Sequence, residues 1–121
     1  MSNPTITADE LLDFMIEMDI KYCGYGIPIA MIAHELDITF KQLWPPMQEL
    51  IDKNLVVELV EPDTGHTCGF ALRDEARHLP RWHEAHIKML KQLSVDLPFV
   101  IGHEERIKAA EEAAERDKHH E

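Results

Sequence analysis

The stretch from Val56 to Leu72 commits the middle of this chain to a β-hairpin and leaves everything before it to helices. Val56-Val57-Glu58-Leu59-Val60 is rich in β-branched residues, which pack well on a pleated surface. Pro62-Asp63-Thr64-Gly65 is turn chemistry: proline presets one backbone angle and glycine accepts the left-handed region. Thr67-Cys68-Gly69-Phe70-Ala71-Leu72 then returns as the partner strand. A hairpin of two strands cannot bury its own apolar face, so the segments before it must supply a helical layer.

Three helices are expected there. Thr7-Ala8-Asp9-Glu10 has the spacing of a capping box, and Leu11, Leu12, Met15, Ile16 and Met18 follow at helical intervals, with Asp9, Asp13 and Glu17 on another face. This first helix should end near Ile20 to Tyr22, before the turn-forming Gly24-Tyr25-Gly26. A second helix fits Pro28 to Leu36, with proline at its first position and Ile29, Ile32, Ala33 and Leu36 along one face. Thr39 suits the N-cap of a third, which carries Leu43, Met47, Leu50 and Ile51 and stops at Asn54, a residue that tolerates the left-handed region. Pro45 and Pro46 interrupt this third pattern. Proline inside a helix costs about 3 kcal/mol and pushes its predecessor out of the α region, so the helix should start, or kink, at one of them.

Helices followed by a hairpin define a mostly α, α+β arrangement: a winged helix-turn-helix over residues 1–79. After it, Arg73 to Leu79 allows one or two helical turns. Residues 80–102 hold a longer helix with a Trp82, His86, Met89, Leu90, Leu93 stripe and an apolar connector from Leu97 to Gly102. Residues 103–121 are charged and alanine-rich, with Glu104/Lys108 and Glu112/Arg116 four apart, the pattern of a solvated or fraying helix.

On the segment from Pro28 to Leu79 the chain resembles the MarR-type and ArsR-type winged-helix transcription regulators. Leu50-Ile51-Asp52-Lys53-Asn54-Leu55-Val56 is similar to the phrase that ends their recognition helix, with Asn for Gly, and Ala71 to Arg77 is similar to the one that opens the next helix. The resemblance implies a homodimeric regulator with duplex DNA as its partner. Its dimerisation element would lie between Arg81 and Ile101, through Trp82, His86, Met89, Leu90 and Leu93, and its DNA contacts would come from Lys41, Gln42, His66, Arg73 and Arg77.

Charge argues against that partner. Residues 1–72 contain twelve acids and only Lys21, Lys41 and Lys53 as bases, a balance of −9 within a total of −11. A duplex-binding surface needs a cation for most of the phosphates it neutralises. The first positions of the third helix hold Phe40, Lys41, Gln42, Trp44, Pro45 and Pro46; lysine and glutamine can read bases, whereas an indole has a single donor and a phenyl ring none. The wing, Glu61 to His66, offers only a histidine. The alternative is a protein-interaction module, an adaptor or DNA-mimicking inhibitor, in which Phe40, Trp44, Pro45 and Pro46 anchor a basic protein inside an acidic rim. Trp44 packed in the core is the competing reading of that residue.

Other functions leave fainter traces. Eight histidines raise the question of a metal, with His83 and His86 as weak candidates beside His66, Cys68 and His78; their spacing matches no zinc motif, and neither metal nor cofactor is expected. The sequence has no P-loop, dinucleotide fingerprint or nucleophile elbow, and an enzyme is not expected. Cys23 and Cys68 suggest reduced, structural thiols. With no basic-then-apolar leader and no apolar run of about 18 residues, a cytoplasmic protein that avoids membranes is the expectation.

Overall fold

A computed structural model describes residues 5–118 and divides the chain into two compact units, Met1–Ala76 and Arg77–Glu121.

The first unit is a winged helix. Helix α1 (Ala8–Lys21) opens on the expected capping box, in which the Thr7 hydroxyl accepts from the Glu10 amide and the Glu10 carboxylate accepts from the Thr7 amide. Leu11, Leu12, Met15 and Ile16 turn inward, while Asp9, Asp13 and Glu17 stay in solvent. A two-residue strand, β1 (Ile27–Pro28), comes next and was not anticipated from sequence. Pro28 is therefore the cap of α2 (Ile29–Leu36) and not its first residue. Its missing N–H is harmless there, because β1 is an edge strand.

Helix α3 (Phe40–Asp52) overturns the expected start at Pro45 or Pro46: it runs continuously from Phe40 through both prolines. Thr39 and Gln42 form a second capping box, Thr39 Oγ1 accepting from the Gln42 amide and Gln42 Oε1 accepting from the Thr39 amide at 2.8 Å. This fixes the first turn ahead of the prolines. The two imino nitrogens withhold helical bonds from the carbonyls of Lys41 and Gln42, and the complete burial of Leu43, Met47 and Leu50 offsets that loss. The helix ends at Asp52 with Lys53 as its cap, and the expected left-handed stop follows at Asn54, whose φ of 60° lets Leu55 N donate back to Leu50 O at 3.0 Å.

Strands β2 (Val56–Val60) and β3 (Thr67–Leu72) form the hairpin, and the antiparallel sheet has the order β1-β3-β2. Phe70 sits mid-sheet, opposite Ile27 on one side and Glu58 on the other, and is fully buried. Beside it only glycine fits at 69: a Cβ there would lie 2.4 Å from the Ile27 carbonyl oxygen, so the bare Cα is what lets β1 approach. Cys23 and Cys68 are free and exposed rather than packed, and the Cys68 thiol donates to Leu59 O. A short 3-10 turn, Asp74–His78, follows, with Ala76 buried.

The second unit is a helical hairpin. Helix α4 (Pro80–Asp96) and helix α5 (His103–Lys118) pack against each other. The charged tail, expected as a solvated or fraying helix, is helical as far as Lys118, with Ala110 buried; His119 and His120 lie outside the described residues. Among the described residues, no helix is long and apolar enough to cross a membrane.

Candidate functional site

Helix α3 presents the surface on which the two sequence readings differ. Positions 41, 45, 49 and 52 fall on one helical stripe, and all four residues are exposed: Lys41, Pro45, Glu49 and Asp52. One cation and two carboxylates therefore share that face. The Gln48 amide donates to Asp52 at 3.0 Å, which holds the second carboxylate in place. Glu49 and Asp52 also stand in the last helical turn, where the macrodipole favours cations, and the turn itself contains no base.

The other candidate DNA contacts are similarly compromised. Gln42 Oε1 is engaged in its capping box, so a bidentate reading of adenine would have to break the cap. Arg73 pairs with Glu75 at 3.5 Å. His66 is exposed on the wing, beside Glu61 and Asp63, and its amide donates to the Thr64 hydroxyl. Arg77 is half-buried and belongs to the second unit, whereas Lys41, Gln42, His66 and Arg73 belong to the first.

Of the four anchor candidates, Phe40 and Trp44 come together. Phe40 is half exposed, at 50%, and its ring lies 5.9 Å from that of Trp44. Trp44 in turn lies 6.0 Å from buried Phe70. The indole is neither a core residue nor a free one; it links an exposed phenyl ring to the middle of the sheet. Pro45 is exposed and Pro46 half-buried in the following turn, and Glu35 and Asp37, both exposed, stand just before the helix. The result is an aromatic pair, exposed Phe40 and half-buried Trp44, with acids before and after it in the chain.

In the second unit the histidines have a use that spacing alone did not reveal. Asp117, in the last turn of α5, accepts from His83 Nε2 at 2.5 Å and from His78 Nδ1 at 3.0 Å. His83 is the buried residue of α4, and its side chain is 8% exposed against 69% for His78. His86 instead packs its ring 4.8 Å from Trp82, and burial, helped by the charge of His83, pushes its pKa down. Among the described residues no group of three or more His, Cys, Asp or Glu is set to hold a metal. Two of the histidines considered for one, His78 and His83, fasten the two ends of a helical hairpin. No sequence signal marked Asp117, because its partners lie 34 and 39 residues away.

The clasp has a pH signature. The hydrogen bond from His83, then the bond and charge of His78, hold the Asp117 carboxyl below its ordinary value of 3.8. A depressed carboxylate contributes stability that is fully present above its unfolded value and is lost as pH falls through its native one. Asp117→Asn should therefore lower stability at neutral pH, and the gap from wild type should close on acidification below about 4. Urea melts of the two proteins from neutral pH to strong acid test this; a gap that stays constant with pH would exclude the clasp.

Of the expected dimerisation stripe, Trp82, His86, Met89 and Leu90 are half-buried within the chain, and Leu93 is exposed at 37%.

No protein-family model matches the chain, and no curated protein matches it. Among solved structures it is similar to that of a point mutant of Lactococcus lactis ZitR, with 13% identity and a TM-score of 0.48, over 98% of this chain and 80% of that one. A likeness so distant transfers no residue role.

Proposed function

We propose that this chain is a homodimeric regulator of the winged-helix type whose winged unit engages a basic protein and not duplex DNA. One observation carries the reading. The outward stripe of α3, the element such a fold would lay in a major groove, presents Glu49 and Asp52 with Lys41 as its single cation. The unit around it holds fourteen acids and four bases, a balance of −10, so the long-range field repels a polyanion and attracts a polycation. Phe40 and Trp44 supply the apolar contact that charge alone lacks, since interface energy concentrates in a few aromatic anchors rimmed by polar groups.

A second reading, duplex binding by the same unit, draws on the exposure of Lys41 at the start of α3 and of His66 on the wing.

Fluorescence anisotropy against random duplex at low and moderate salt separates the two, with an arginine-rich peptide titrated in parallel. The expected result is no duplex binding at either salt, saturable peptide binding, and at least roughly fivefold weaker peptide binding by Phe40→Ala. Micromolar duplex binding that weakens steeply with salt would overturn the proposal in favour of the second reading. Peptide binding indifferent to Phe40 would reduce the contact to unspecific charge.

A further inference from the structure

The turn between α2 and α3 gathers a half-exposed ring, two carboxylates and the open end of a helix in a short stretch of chain. Helix α2 ends at Leu36, Asp37 caps it in the left-handed region with a φ of 52°, and Phe40 is already the first residue of α3. The last carbonyls of a helix have no partner within it. The Ala33 carbonyl accepts from the Ile38 amide at 3.1 Å and the His34 carbonyl from the Asp37 amide at 3.2 Å. Among the described residues, no backbone amide reaches the carbonyls of Glu35 and Leu36.

The ring that follows this turn is held in place. Phe40 lies 5.9 Å from Trp44, and Trp44 is braced in its turn by the buried ring of Phe70 at 6.0 Å. The capping box of Thr39 and Gln42 fixes the backbone that carries Phe40. Little conformational freedom is left to lose when a ligand stacks on such a face. The negative pole of α2 and the positive pole of α3 meet in the turn and offset each other, so Glu35 and Asp37, both exposed, decide the local sign. Lys41 is the opposing cation; one residue after Phe40, it stands about 100° further around the helix.

We propose that this turn recognises arginine in the basic partner, a guanidinium stacking on Phe40 while its N–H groups meet the carboxylates of Glu35 and Asp37 and the open carbonyls of α2. The proposal rests on the basic-partner reading above and names the side chain that is recognised. Arginine is preferred to lysine for two reasons. A guanidinium is planar and weakly hydrated, so it lies flat on a ring at little cost in solvation. Its five donors also suit a turn that offers several acceptors. An ammonium is a compact, strongly hydrated charge, and an exposed pair of lysine and carboxylate contributes little in water. A proline-rich ligand would use the rings and leave the carboxylates without a role.

Fluorescence anisotropy tests this with two labelled peptides of the same length and charge, one carrying arginine and its twin carrying lysine at the same positions. The arginine peptide is expected to bind about tenfold more tightly than the lysine twin. Phe40→Leu keeps an apolar side chain at a half-exposed position and removes the π face. It should bring the arginine peptide down to the affinity of the lysine twin, whose own binding stays unchanged. Asp37→Asn keeps a residue that accepts the left-handed region and removes one charge, and should weaken the arginine peptide about threefold. Both variants should keep the far-UV circular dichroism of the wild type. Equal affinity for the two peptides would overturn the arginine reading and leave a basic partner standing. An arginine preference that survives Phe40→Leu would place the recognition elsewhere on the unit and overturn the proposal as well. Binding of neither peptide would sink it together with the reading it rests on.

Discussion

Replacing Phe70 with alanine is expected to cost the winged unit about 3–5 kcal/mol, the range for deleting a buried aromatic ring when the surroundings close only partly over the hole. Phe70 has no solvent exposure and lies on the central strand, with β1 and β2 paired on either side of it. Domains of this size have total stabilities at the lower end of about 5–15 kcal/mol, so the loss is a large part of what holds the unit together. The indole of Trp44 rests against the same ring, so the damage should reach α3 as well as the sheet. Urea melts followed by tryptophan emission, with Trp82→Phe as background to isolate Trp44, would read both effects. A loss below about 1 kcal/mol, the scale of a surface change, would show that Phe70 does not sit in the core.

The elements that the sequence made legible are those whose signals are local. Capping at Thr7, the hairpin from Val56 to Leu72 and the left-handed stop at Asn54 each depend on residues within a few positions of one another, and each forms as expected. Strand β1 was illegible because two residues carry no periodicity; it exists only because Gly69, 42 positions after Ile27, leaves room for the Ile27 carbonyl. The misjudged start of α3 has a different cause. The penalty of Pro45 and Pro46 competes there with the capping-box spacing of Thr39 and Gln42 and the helical spacing of Leu43, Met47 and Leu50. Tertiary burial outweighed a local penalty. The site divides along the same line: the acids and aromatics near α3 could be named in advance, but not the stripe that places Glu49 and Asp52 beyond Lys41. The His78–Asp117–His83 clasp joins residues 34 and 39 positions apart, which no local pattern relates.

If charge is what bars this unit from DNA, reversing it should admit DNA. Glu49→Lys, Asp52→Lys, Glu61→Lys and Asp63→Lys together take residues 1–76 from −10 to −2 and place four cations on exposed positions of α3 and the wing. The fold should tolerate the change. All four side chains are in solvent, and lysines in the last turn of α3 suit the helix dipole better than the native acids, each by about 0.3–1 kcal/mol. The fourfold variant is expected to bind random duplex with a dissociation constant of about 10⁻⁴–10⁻⁶ M at physiological salt, where wild type shows none. Its log affinity should fall with log salt at a slope of about −0.9 for each phosphate contacted, so a slope of about −3 to −4 would mean that the introduced lysines meet the backbone together. A folded variant that still ignores DNA would show that shape is a barrier too, with Phe40, Trp44 and the two prolines blocking the groove. The native acids would then be a consequence of a surface already built for another partner. A gain of binding would mean instead that the winged geometry remains fit for a duplex and that Glu49, Asp52, Glu61 and Asp63 are what refuse it. Two of those acids oppose the dipole of their own helix, so this chain retains them at a cost in stability, as expected of residues that serve an encounter with a cationic partner.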